Sequence, residues 1–225
     1  MSKLDNIQAC VFDAYGTLFD FNSAVARHRP RLGEVADQFS ALWRAKQLEY
    51  TWTLTLMGRY QDFWTLTERA LDFALARFPS VDKRLRPELL NAYRELDAFP
   101  DAREALTRLR AKGLATAILS NGAPAMLASA VNAAGLGGVL DQVLSVDAIR
   151  IYKPRREVYQ IATRALACAA ADIAFVSSNR WDAAGAAAIG MRALWVNRGS
   201  APAEYDDLPP AATLKDLSGL AELDS

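Results

Sequence analysis

Asp13 closes the short apolar run IQACVF at positions 7–12, and Thr17 follows four residues later. Three further polar sets lie near later apolar runs: Ser120 and Asn121 after ATAIL, Lys153 ahead of Pro154, and Ser177, Asn179 and Asp182 after DIAFV. Taken singly, each is ordinary turn chemistry: an aspartate after a strand caps a turn, Ser-Asn-Gly is a turn by composition, and a lysine before proline is a solvated loop residue. Thr17 also suits a helix N-cap, and Asp182 a cap on the helix that starts near Trp181. Taken together, a carboxylate, a lysine, a second carboxylate and several small donors can build a nucleophilic site without metal or histidine.

What joins these residues is position. Ile7–Asp13, Ala115–Ser120, Gln142–Val146, Asp172–Ser177 and Arg192–Val196 have the look of buried parallel strands. Plausible helices precede the later ones, at 101–112, 124–134, 155–167 and 181–189, several of them stopped by glycine. Strand–helix alternation predicts an α/β class, a doubly wound parallel sheet of Rossmann-like form, whose ligands bind outside the carboxyl ends of the strands. Between the first strand and Asp101 the pattern turns helical. Phe39 and Trp43 fall four apart, as do Leu48, Trp52 and Leu56, which reads as a long amphipathic helix over 34–57, with a second over 62–78. The expected organisation is a catalytic core from residues 1–19 and 98–225, carrying an inserted all-helical cap at 20–97.

Composition removes other classes. With 225 residues, 52% hydrophobic and 23% charged, the chain is globular, and no internal repeat is visible. Lys and Arg number 26 against 26 Asp and Glu, so no cationic excess draws nucleic acid. Cys10 and Cys168 lack metal-type spacing, and a single histidine excludes most zinc sites, although His28 could still serve as a base. The start Met1–Asn6 runs straight into a strand with no apolar stretch suited to secretion or membrane spanning, which predicts a cytoplasmic protein with no membrane partner.

The segments DAYGTLFD at 13–20, LSNG at 119–122, YKP at 152–154 and SSNRWD at 177–182 resemble the haloacid dehalogenase superfamily in order and spacing. LWRAKQLEYTW at 42–52 and FVSSNRWDAAG at 175–185 narrow the resemblance to the (S)-2-haloacid dehalogenases, over nearly the whole chain. That resemblance implies a small 2-haloacid substrate, no cofactor or metal, and a homodimer. It makes Asp13 the nucleophile, held ionised by Lys153, which Asp182 holds in turn. Ser177 and Asn179 place the hydrolytic water with Asp182, and Thr17 orders the Asp13 loop. Ser120 holds the substrate carboxylate, Arg44 and Asn121 receive the halide, and Tyr15, Leu48, Phe63 and Trp181 form the apolar wall. In this chain Ala45 stands where the resemblance leads one to expect glutamine, and Arg180 adds a cation expected at the surface. Two other readings stand beside this one. A magnesium-dependent phosphohydrolase of the same superfamily would need acidic groups at Tyr15 and Ser178, and an inactive binding protein of the same fold would have no reason to keep the polar set.

Overall fold

The computed structural model describes residues 6–224; residues 1–5 and 225, which the sequence expectation assigns to the core, lie outside the described residues. In chain order the elements are β1 (Ala9–Phe12), α1 (Ser23–Ala26), α2 (Arg29–Leu32), α3 (Ala36–Leu56), α4 (Phe63–Arg77), α5 (Arg86–Arg94), α6 (Ala102–Ala111), β2 (Ala115–Ser120), α7 (Pro124–Ala133), β3 (Gln142–Ser145), α8 (Arg156–Leu166), β4 (Ile173–Ser177), α9 (Arg180–Ala187), β5 (Arg192–Val196) and β6 (Ala212–Leu214). The strands pair in parallel in the order β3-β2-β1-β4-β5-β6, so the winding reverses beside β1 and β4. The α/β reading therefore holds.

Register fixes where the chemistry sits. Phe12 pairs with Ile118 on one side and Val176 on the other, which brings Asp13 level with the ends of β2 and β4. Asp13 N–H bonds Val176 O at 2.9 Å, extending the ladder to the aspartate itself. Beyond it the chain turns sharply at Gly16, φ +94°, where a Cβ would stand 3.1 Å from Ser178 Oγ. A side chain there would be strained and crowded.

Helices α1 to α5 lie between β1 and β2. The long helix α3 packs along α4, and Phe39, Trp43, Gln47 and Thr51, four apart along its length, form its buried face. Asp62 starts α4 by accepting a bond from Thr65 N–H at 3.1 Å. Buried polar groups on this face are satisfied in pairs: Gln47 Nε2 donates to Thr67 Oγ1 at 2.9 Å, and Gln47 Oε1 accepts from the Tyr93 hydroxyl at 3.2 Å. The two chain crossings run side by side, with Asp20 N–H bonding Asp97 O at 2.8 Å and Phe99 N–H bonding Leu18 O at 2.9 Å. Tyr60 and Tyr152 tie the helices to the loop after β3: the Tyr60 hydroxyl donates to Asp147 at 2.7 Å and the Tyr152 hydroxyl to Gln61 O at 2.6 Å.

Several expectations are corrected. β3 is an edge strand with Gln142 and Val143 exposed, because it has a neighbour on one side only. No helix begins at Thr17. Arg180 is buried, not superficial: it donates to the carbonyls of Tyr205 and Leu208 at 3.0 and 2.7 Å. His28 lies on the helical insertion with its ring 3.7 Å from Glu88. Among the described residues no helix is long and apolar enough to cross a membrane.

Gly185 in α9 lets that helix approach the loop at Pro154, where an added Cβ would stand 2.9 Å from Pro154 Cβ and from Tyr159 Cζ. Gly185→Ala is expected to cost about 2 kcal/mol by overpacking, a fall in Tm of roughly 4–8 °C. An unchanged melting curve would show that α9 can shift away freely.

Candidate active site

A lysine buried between two carboxylates organises the sheet edge. Lys153 Nζ lies 3.2 Å from Asp13 Oδ1 and 2.8 Å from Asp182 Oδ2, and all three side chains are buried. Burial pulls the Lys153 ammonium toward neutrality, but Asp13 and Asp182 outweigh it and hold its pKa above the ordinary lysine value. Burial pushes the Asp182 carboxyl up to about 6, with Lys153 opposing. The ammonium therefore stays charged while the deeper carboxylate lies within reach of protonation.

Each carboxylate has a separate set of partners. Asp13 Oδ2 accepts from Asn179 Nδ2 at 2.8 Å and from the Thr17 hydroxyl at 3.4 Å. Asp182 accepts from the Tyr159 hydroxyl at 2.8 Å through Oδ1 and from Ser177 Oγ at 3.2 Å through Oδ2. Asn179 is the N-cap of α9 yet makes no side-chain cap bond, because its amide is directed at Asp13 instead. Asp182, in the first turn of that helix, turns its carboxylate to Lys153, Tyr159 and Ser177 and is fully buried, so it is no solvated cap. Thr17 Oγ1 accepts from Ser178 N–H at 2.9 Å, fastening the loop after β1 to the end of β4.

From β2, the Ser120 hydroxyl accepts from Gly122 N–H at 3.0 Å, and Asn121 Oδ1 accepts from Lys153 N–H at 3.1 Å. The second bond fixes the backbone from which the lysine reaches inward. Arg44 enters from α3: its Nη2 donates to Tyr15 O at 3.4 Å and its guanidinium lies 5.1 Å from the Phe21 ring centre. Asn179 Nδ2 lies 3.5 Å from the same Tyr15 carbonyl, which places Arg44 next to the Asp13 loop. Ala45 is exposed beside Arg44 and lines an open groove of about 570 Å³ with Phe21, Asn22 and Asp37.

The apolar side is continuous with the helices. Tyr15 stacks on Tyr93 at 5.8 Å between ring centres and lies 5.9 Å from Phe63, both rings being buried. Its hydroxyl is buried without a hydrogen-bond partner, and burial pushes its pKa well above the usual phenol value. Leu48 and Trp181 are half-buried, and Trp181 meets Trp52 edge-to-face at 5.4 Å. Tyr159 and Trp52 are the site neighbours that sequence reasoning missed. A hydroxyl-bearing ring on the buried face of α8, between Val158 and Ala162, was the available signal for the first. Among the described residues no group of three or more His, Cys, Asp and Glu could hold a metal ion.

Comparison with known proteins bears on this arrangement. A family model described as haloacid dehalogenase-like hydrolase matches residues 7–190. The chain is 51% identical to (S)-2-haloacid dehalogenase 1 of Pseudomonas sp. (strain CBS-3), covering 98% of this chain and 97% of that one. A crystal structure of a dehalogenase superposes with a TM-score of 0.95 at 46% identity, covering 97% of each chain. The L-2-haloacid dehalogenase of Xanthobacter autotrophicus with chloropropionic acid covalently bound has a TM-score of 0.87 at 36% identity, over 97% of this chain and 98% of that one.

Folding raises the Asp182 pKa from 3.8 to about 6, so its contribution to stability is complete below 3.8 and is lost as pH rises through about 6. Carboxyl carbon NMR should show this aspartate titrating near that value, and Tyr159→Phe should raise it further by removing a bond to the ionised form. Titration near pH 4 that is indifferent to Tyr159→Phe would mean the carboxyl is well solvated.

Proposed function

The chain belongs to the haloacid dehalogenase-like hydrolases and, within them, to the (S)-2-haloacid dehalogenase family, and from that premise we propose that it hydrolyses short (S)-2-haloalkanoic acids to (R)-2-hydroxy acids and halide through an ester on Asp13. The observation that carries the reading is the buried Asp13 carboxylate, in contact with an ammonium on one oxygen and with the Asn179 amide on the other.

An ionised carboxylate needs no base for the first step. An Asp13 oxygen forms a bond to C2 from the face opposite the halogen, the carbon–halogen bond breaks, and the halide leaves with the electron pair. Arg44 and Asn121 are the donors proposed for the developing halide, and Ser120 with the backbone amides after Asp13 for the substrate carboxylate. Water then attacks the carbonyl carbon of the Asp13 ester. The hydroxy acid departs with its C2–O bond intact, Asp13 returns as carboxylate and one proton is released. Attack at C2 inverts the centre once, which accounts for (S) substrate and (R) product. Lys153 holds Asp13 aligned, Asp182 holds Lys153, and Ser177, Asn179 and Asp182 place the water. Tyr15, Leu48, Phe63 and Trp181 receive the alkyl group and exclude bulk solvent.

Residues 20–97 act in this reading as a cap that carries Arg44 and the wall over a core of 1–19 and 98–225. A homodimer in the cytoplasm completes the reading. Met57, 61% exposed just past the end of α3, supplies apolar surface for such a contact.

Halide release from separate (S)- and (R)-2-chloropropionate in EDTA should occur with the (S) acid alone. Phosphate release from p-nitrophenyl phosphate that requires magnesium, without halide, would favour the phosphohydrolase reading, and neither activity the inactive binding protein. Asp13→Asn should lower kcat for halide release by about a thousandfold or more. Near-normal turnover by freshly made protein would remove Asp13 as nucleophile.

A further inference from the structure

Arg180 is used by none of the steps above, yet it is buried between Asn179, which bonds the nucleophile, and Trp181 of the proposed wall. Its Nη2 donates to the carbonyls of Tyr205 and Leu208, and its guanidinium lies 5.4 Å from the Tyr205 ring centre and 5.9 Å from that of Trp195. Tyr205 belongs to the irregular segment between β5 and β6, and its backbone has φ +53°. A left-handed conformation is strained for a bulky residue and persists where the surroundings enforce it. Here the enforcement is specific: the Tyr205 carbonyl accepts from Arg180 at 3.0 Å and from Leu208 N–H at 2.9 Å.

The ring so placed lines a mostly apolar cleft of about 360 Å³ with Trp52, Thr55, Tyr152, Lys153 and Trp181. Lys153 lines this cleft and reaches Asp13 with its ammonium, and Trp181 of the proposed wall lines the cleft beside it, so the cleft adjoins the Asp13 site. Its volume exceeds what a methyl substituent on C2 occupies, and beside Thr55, Lys153 and Arg155 its lining is four aromatic rings with Leu56 and Pro154, which suits an unbranched hydrocarbon chain.

We propose that this cleft is a side-chain subsite for 2-haloalkanoates longer than propionate, that Tyr205 is its specificity-determining wall, and that Arg180 is a positioning residue that acts by fixing Tyr205. The proposal rests on the dehalogenase reading of the Asp13 site. In the bound substrate the carboxylate and C2 lie at Asp13 while the carbons beyond C3 run past Lys153 and Trp181 toward Tyr205. The small substrate never touches Tyr205, so the two residues affect long and short acids differently.

The test compares bromide release from (S)-2-bromohexanoate and (S)-2-bromopropionate by the full-length protein and by Tyr205→Ala, Arg180→Ala, Arg180→Lys and the double alanine variant. Wild type should turn over both acids. Each alanine variant should raise KM for the hexanoate about fivefold at unchanged kcat, the signature of lost binding common to ground and transition states, while kinetics on the propionate stay within about twofold. The double variant should be no worse than Tyr205→Ala alone, since residues acting through one contact are not additive. Arg180→Lys, which still offers donors to both carbonyls, should restore part of the loss. Equal losses on both acids, additive losses in the double variant, or an unaltered hexanoate KM in Tyr205→Ala would each overturn the proposal while leaving the catalytic reading in place. Wild type that releases bromide from neither acid would overturn both, and wild type active on the propionate alone would overturn the subsite only.

Discussion

Everything at the sheet edge depends on keeping one ammonium dry between two carboxylates. Removing an ion pair from water is expensive, and the expense is offset only when geometry is good and the remaining lone pairs are satisfied. Around Lys153 that condition is met by neighbours from four different elements: Asp13 after β1, Ser177 closing β4, Asp182 in α9 and Tyr159 in α8. The backbone of Lys153 is itself fastened by Asn121 at the end of β2. A cluster whose members come from so many elements resists piecemeal change: shifting any one strand end leaves a buried charge without its partner. The parallel register is therefore an electrostatic requirement as much as a packing one.

The helices between β1 and β2 supply what the strand ends lack. The sheet edge is rich in polar groups but offers little apolar surface, and the rings of Phe63, Tyr93 and Trp52 come from that insertion. Tyr15 joins the two halves, since its backbone carbonyl accepts from Arg44 while its ring stacks on Tyr93. The loop after β1 thereby carries Asp13 on one side and the packing surface for the insertion on the other. Its tight turn at Gly16 makes that double use possible by drawing the loop against Ser178.

Much of this was legible because parallel strands in an α/β sheet are short apolar runs, and a polar residue just past each run has few places to go. Asp13, Ser120, Ser177 and Asp182 could be placed that way. What escaped was whatever carries no periodic signal. Strand β6 spans only Ala212–Leu214, too few residues for alternation to register, and α5 begins on Arg-Pro after an irregular stretch. Tyr159 escaped because a large ring on the inner face of an amphipathic helix reads as filler, and nothing local marks its hydroxyl as the partner of a carboxylate from another helix. Arg180 was misjudged for the opposite reason. An arginine in the first turn of a helix is ordinarily solvated, and only the distant segment ending at Leu208 buries it.

The side-by-side crossings at Asp20–Asp97 and Leu18–Phe99 mean that the chain leaves and re-enters the sheet layer at nearly the same point. Seen from the sheet, roughly a third of the molecule is thus a closed loop on a narrow stem, and closing a loop costs little more when it grows longer. The strand order and the position of Asp13 are set below that stem. The entire helical layer can accordingly be lengthened, shortened or exchanged without moving Asp13 or re-pairing a single strand.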